Sequence, residues 1–252
     1  MGAGPRSRGK TMIVILCHPG DASALWLAGS MRGCGATIEL VSVEELVYSR
    51  RIVYRLSDSG SSGSIVLADG RTLRPETITG VVNRVAYVPT QHFARALAGD
   101  RAYAEAELSA LLLAWLNGVA GRVINAPLPS ALGGASVSLP ALMQFAAMAG
   151  LPTGGFRASA DPREDAGPPR RPTHAAVVFD GRTYGALLPR ALLDGCRRLA
   201  PLAGASLMQI EFNRSPEHGF RFVNASSAVE FRLGGKPLAR DLARAFARSI
   251  AA

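Results

Sequence analysis

The sequence predicts an α/β protein, with a parallel β-α-β sheet at its N-terminal end and an α+β region at its C-terminal end. Three observations lead there. First, the apolar run Thr11-Met-Ile-Val-Ile-Leu-Cys17 precedes a helical pattern over residues 22–32 and a second run, Ala36-Thr-Ile-Glu-Leu-Val41. Strand-helix-strand order makes two strands parallel, and an unbroken apolar strand is buried on both faces. Second, residues 174–224 read as two strand pairs closed by turns, Asp180-Gly181 and 215–219, with a helical stretch between them. Third, residues 157–173 separate the two regions, holding five Pro or Gly, seven charges and no large apolar residue.

Size and composition set bounds. The chain has 252 residues, 48% hydrophobic and 19% charged, enough for one large core or two small ones. No apolar run reaches the length of a membrane span, so no membrane partner is expected. The Gly-rich basic stretch 1–10 is followed by too short an apolar run for a signal peptide and reads as a disordered tail. Three widely spaced cysteines, Cys17, Cys34 and Cys196, argue against a disulfide framework or zinc site and fit a cytoplasmic protein. The net charge is +9, carried by 26 Arg and two Lys. Arg over Lys with abundant Ala and Gly is the composition of a high-GC bacterial genome. The densest basic cluster, Pro168-Pro-Arg-Arg-Pro172, lacks interleaved aromatics, so nucleic acid is not the expected partner.

The elements follow in order. Asp21 can cap the helix over 22–32, and Gly33 can stop it. The loop after the first strand is His18-Pro-Gly-Asp21, not a G-x-G-x-x-G turn, which argues against a dinucleotide. A lone loop histidine such as His18 is more commonly bonded locally than catalytic. Residues 51–56 and 64–67 read as a hairpin around the Ser/Gly run 57–63, followed by an Asp69-Gly70 turn. That run lacks the following helix and Lys of a P-loop. A buried strand is expected over 78–89, interrupted by Asn83 and Arg84, which need bonds or exposure. A helix is expected over 100–117 with Asp100 as its cap, a short strand over 122–127, and a helix over 139–149. Residues 189–202 read as helix, 229–233 as extended and 237–251 as a closing amphipathic helix. In the hairpin 207–224, one strand carries a single acid, Glu211, and the return strand ends at Asn224.

Three stretches carry a family resemblance. One is Gly80-Val-Val-Asn-Arg-Val85 with Asp100-Arg-Ala-Tyr-Ala-Glu-Ala-Glu107 and Leu111-Leu-Leu-Ala-Trp-Leu-Asn-Gly118. Another is Val123-Ile-Asn-Ala-Pro127 with Gln144-Phe-Ala-Ala-Met-Ala-Gly-Leu-Pro152. The third is the 210–224 hairpin with the final helix. Together they resemble the ATP-grasp superfamily, and within it peptide-maturation ligases with a pre-ATP-grasp domain. After the tail over 1–10, the resemblance implies a pre-ATP-grasp-like α/β domain with a β-hairpin insertion over 11–90 and a helical connecting region over 91–156. It further implies a truncated α+β half of an ATP-grasp fold over 174–252, beyond the linker over 157–173 that its composition marks as mobile.

Departures from the family pattern shape the expected function. A ligase of this family forms an acyl phosphate from a carboxylate and ATP. It needs cations over the phosphates and two or more acidic or amide ligands for bridging magnesium. The family's lysines lie on a central lid, which the interval 157–173 is too short to hold, and the two lysines here are Lys10 and Lys236. By resemblance, Glu211 and Asn224 match metal ligands, while Phe222 stands where the family has a Glu. Arg84, Arg182 and Arg221 are the candidates for phosphate contact. The expectation is a non-catalytic ATP-grasp-like binding or accessory protein for peptide or small-molecule modification, with a protein or peptide partner, a vestigial metal pair and no cofactor. The alternatives are a working carboxylate-amine ligase with a reduced site, using ATP and magnesium, and a basic protein that binds nucleic acid or an acidic partner.

Overall fold

A computed structural model describes residues 11–58, 60–119, 121–154, 172–185 and 187–248. The expected tail over 1–10 and residues 157–171 of the expected linker lie outside the described residues. The chain divides into two compact units, 1–134 with 240–252, and 135–239.

The first unit contains β1 (Met12–Cys17), α1 (Ala22–Arg32), β2 (Ile38–Ser42) and α2 (Val43–Val47). It continues through β3 (Arg51–Ser57), β4 (Gly60–Val66), β5 (Thr72–Leu73), β6 (Ile78–Asn83), α3 (Ala98–Asn117) and β7 (Arg122–Ile124). Strands β2-β1-β6-β7 form a parallel sheet in that order, and β3-β4-β5 form a small antiparallel one. Alternation along β1 and β6 sends Val14, Leu16 and Val81 into one core, shared with Leu112, Trp115 and Leu116 of α3 and Ile65, Leu67 and Leu73 of the small sheet. Ile13, Ile15 and Val82 are buried on the other face. Both faces are covered, as an all-parallel sheet requires.

The second unit contains α4 (Leu139–Met148), β8 (His174–Phe179), β9 (Arg182–Gly185) and α5 (Arg190–Leu202). Next come β10 (Leu207–Ser215), β11 (Gly219–Ser226) and the start of α6 (Phe231–Arg248). The antiparallel sheet has the order β11-β10-β8-β9. Leu142 and Ala146 of α4 pack in one core with Cys196 and Leu199 of α5 and with Ile210, Phe212 and Phe222 of the sheet. Arg198 closes the C-terminus of α4, donating from Nε and Nη2 to the Ala149 carbonyl at 3.0 and 2.7 Å.

Several expectations are corrected. The helix expected at 100 begins at Ala98, so Asp100 lies in its first turn and is not the cap. The Ser/Gly run expected as a hairpin tip is strand from Gly60 onward. Small residues allow it, since a Cβ on Gly63 would lie 2.5 Å from the Val53 carbonyl oxygen. The strand expected over 78–89 stops at Asn83, whose side chain is engaged by neighbouring loops. The piece expected as extended over 229–233 enters α6 at Phe231. That helix bends at Gly235 (φ 60°, ψ −167°), two residues before Pro237. The short helix α2 has a capping box between Ser42 and Glu45 that the sequence reading missed.

The C-terminal part of α6 belongs to the first unit, where Phe246 lies against Gly80 of β6. A Cβ on Gly80 would sit 2.0 Å from Phe246 Cδ1. Gly80→Ala is therefore expected to destabilise the protein by about 2 kcal/mol through overpacking, measured by urea unfolding. A midpoint equal to wild type would show that the helix yields without cost.

Candidate functional site

In the second unit, β10 and β11 place Glu211 directly opposite Asn224. The register then shifts, so that Phe212 faces Phe222 and Val223 is an extra residue. The burial confirms a bulge. Phe222 and Ala225 both enter the core, three residues apart, whereas regular alternation keeps one face at even spacing. Phe222 is 2% exposed and meets Phe212 edge to face, with centroids 6.4 Å apart. Phe220 packs partly on the same core and meets His174 edge to face at 5.0 Å. Both phenylalanines are packing residues.

Glu211 and Asn224 lie on the opposite face, in a polar row that also holds Gln209 and Ser226. Gln209 Nε2 donates to Glu211 Oε1 at 2.8 Å, and Gln209 Oε1 accepts the Glu230 backbone N–H at 2.9 Å. One amide therefore ties the carboxylate to the start of the last helix. The sequence reading missed Gln209, although its position two residues before Glu211 on a strand already places it on that face.

Within the second unit, Arg182 and Arg221 do not converge. Arg182 on β9 and Arg221 on β11 sit on opposite edges of the four-stranded sheet. Their registers differ as well, Arg221 pairing with Asn213 and Arg182 with Phe179, itself opposite Leu207. Strand spacing and rise put them roughly 25 Å apart, too far to hold one phosphate chain. The Arg221 guanidinium lies over Gly154.

Arg84 belongs to the first unit, just beyond β6, and holds Asp21 through Nε–Oδ2 at 2.7 Å and Nη2–Oδ1 at 3.2 Å. Asp21 also accepts the Ala24 N–H at 2.9 Å and so caps α1 as expected. Burial pushes the Asp21 carboxyl up, but bonds from Arg84 and from the Ala24 and Ser23 amides outweigh it and hold the group below the ordinary carboxylate value. Asn83 donates to the Asn125 and Leu132 carbonyls. His18 Nε2 accepts the Ala86 N–H at 3.1 Å, its ring stacks on Tyr87 at 4.2 Å, and Nδ1 lies 3.8 Å from Glu44 Oε1. These contacts engage His18, Asn83 and Arg84 as structural groups at the carboxyl ends of the parallel strands.

Two tests follow. Phe222→Ala should cost about 3–4 kcal/mol in urea unfolding, as a buried aromatic does, while Glu211→Gln costs under about 1 kcal/mol. Asp21→Ala removes a cap and the carboxylate that Arg84 holds, so it should cost about 2 kcal/mol near neutral pH. Because the Asp21 pKa is lowered on folding, its contribution is complete above the ordinary carboxylate range and fades as pH falls below about 4. The gap between wild type and Asp21→Ala should narrow there, and a gap that stays constant would remove the ion pair from the account.

No protein-family model and no curated protein sequence matches the chain. Solved structures do. Macrocyclase MdnB from Microcystis aeruginosa is 15% identical, with a TM-score of 0.68, over 92% of this chain and 98% of that one. An ATP-grasp ligase from Chryseobacterium gregarium, solved with ADP and a leader and core peptide, is 13% identical with a TM-score of 0.73, over 94% and 97%. The ATP-grasp ligase PsnB, solved with a minimal precursor, Mg and ADP, is 18% identical with a TM-score of 0.65, over 95% and 98%. At such identities the likeness is one of fold. The parallel sheet, the four-stranded antiparallel sheet and their helices therefore share their fold with this macrocyclase and these ATP-grasp ligases.

Proposed function

We propose that this chain is a non-catalytic ATP-grasp-like binding or accessory protein with a peptide partner. The observation that carries the reading is the hairpin bulge. It keeps Glu211 and Asn224 on one face but turns Phe222, at the position of the expected third ligand, into the core. One carboxylate, already bonded to Gln209, and one amide do not fit a magnesium pair bridging nucleotide phosphates. Among the described residues no three His, Cys, Asp or Glu side chains gather into a metal-holding group. The arginines offered for phosphate contact are dispersed or, for Arg84, paired with Asp21. Only 25 residues separate α4 from β8, too few for a lid carrying phosphate-gripping lysines. The peptide partner is supported by the precursor peptides present in solved ligases of this fold, among them macrocyclase MdnC bound with precursor peptide MdnA.

One observation favours a second reading, a ligase with a reduced site: Glu211 and Asn224 stand directly across from one another on a common face. Calorimetric titration with ATP and magnesium separates the two. The first reading expects no saturable micromolar binding. Micromolar binding with hydrolysis, both lost in Glu211→Ala, would establish the second.

A further inference from the structure

A cavity of about 680 Å³ opens in the first unit, within the range of roughly 300–1,000 Å³ usual for small-molecule sites. It lies beside the starts of β1 and β6 and the turn between α1 and β2, and the last helix forms a wall. Arg240, Ala243, Arg244 and Ala247 share one face of that helix at i, i+3, i+4 and i+7 spacing. The alanines leave room, and the arginines border it with two exposed guanidiniums one turn apart. Arg244 Nη1 has a 3.6 Å ion pair with Asp241, a residue outside the cavity lining. No acidic residue lines the cavity among the described residues, while Thr11 and Thr37 add hydroxyls to its wall. Two like charges over an uncharged floor repel each other, and a bound anion relieves that repulsion. A guanidinium fork matches the paired oxygens of phosphate or carboxylate.

We propose that this cavity binds a small organic oxyanion, with Arg240 and Arg244 holding its phosphate or carboxylate group and the wall around Ala243, Ala247 and Cys34 receiving its body. The site is independent of Glu211 and Asn224, and stands whether or not the reading of those residues does.

Cys34 supplies the test. It is exposed and lines the cavity, whereas Cys17 and Cys196 are buried, so native protein should take one N-ethylmaleimide adduct, at Cys34. Labelling is followed by mass spectrometry with pyrophosphate, citrate, or sodium chloride at equal ionic strength. At about 10 mM, pyrophosphate or citrate is expected to slow alkylation about threefold or more relative to chloride, since protection grows as one plus ligand over dissociation constant. The more protective of the two identifies the group as phosphate or carboxylate. The double variant Arg240→Gln, Arg244→Gln should lose the protection without a change in melting temperature, because both side chains are exposed. Arg240→Lys, Arg244→Lys keeps the charge but loses the fork, so its protection should fall between those of wild type and the Gln variant. Equal slowing by all three salts, or an unchanged response in the Gln variant, would overturn the proposal.

Discussion

The extra residue Val223 governs what the hairpin can present. In a regular antiparallel ladder, Glu211 opposite Asn224 would put Phe222 opposite Asn213, on the same face as the acid. With Val223 bulged, Phe222 stands opposite Phe212 and enters the core. A one-residue slip in register exchanges faces for every residue beyond it. The sheet thus keeps a continuous apolar layer under α4 and α5, and its other face keeps a short polar row of Gln209, Glu211, Asn224 and Ser226.

The same economy of polar groups marks the first unit. Polar residues at the ends of β1 and β6 have partners nearby: Arg84 holds the helix cap Asp21, Asn83 ties two loop carbonyls, and His18 accepts a backbone amide. Groups that a sequence reading offers to a ligand are here engaged in holding loops to the sheet. Buried polar atoms require such partners, and strand ends are where loops bring them. At the other end of β1 and β6 the balance is reversed, with small residues and two exposed arginines around open space. The shared fold with ATP-grasp ligases therefore says less about chemistry than these local differences do.

Much of the fold was legible from the chain alone. The apolar run at 12–17, the start of the strand at 78, the helix at 22–32 with its Asp21 cap, and the two C-terminal hairpins were all found, because burial imposes composition directly on sequence. Misreadings fell where tertiary contact overrides local preference. The Ser/Gly run became strand from Gly60 because the backbone of β3 approaches Gly63 closely, and residues 231–233 turned helical ahead of a bend at Gly235. The candidate site was legible as residue types and only partly as geometry. Glu211 and Asn224 stand opposite one another in register, while Arg182 and Arg221 lie on opposite edges of their sheet.

The sequence by itself determined the α/β class, the parallel order of the first strands and the shortage of lysine, since each is a matter of residue type and order. Only the tertiary structure decided which face each hairpin residue occupies, that Gln209 bonds Glu211, that Arg84 is paired with Asp21, and that Arg240 and Arg244 border a cavity with Cys34. Those facts depend on strand register, a bulge and contacts between residues distant in the chain, and no local pattern encodes them.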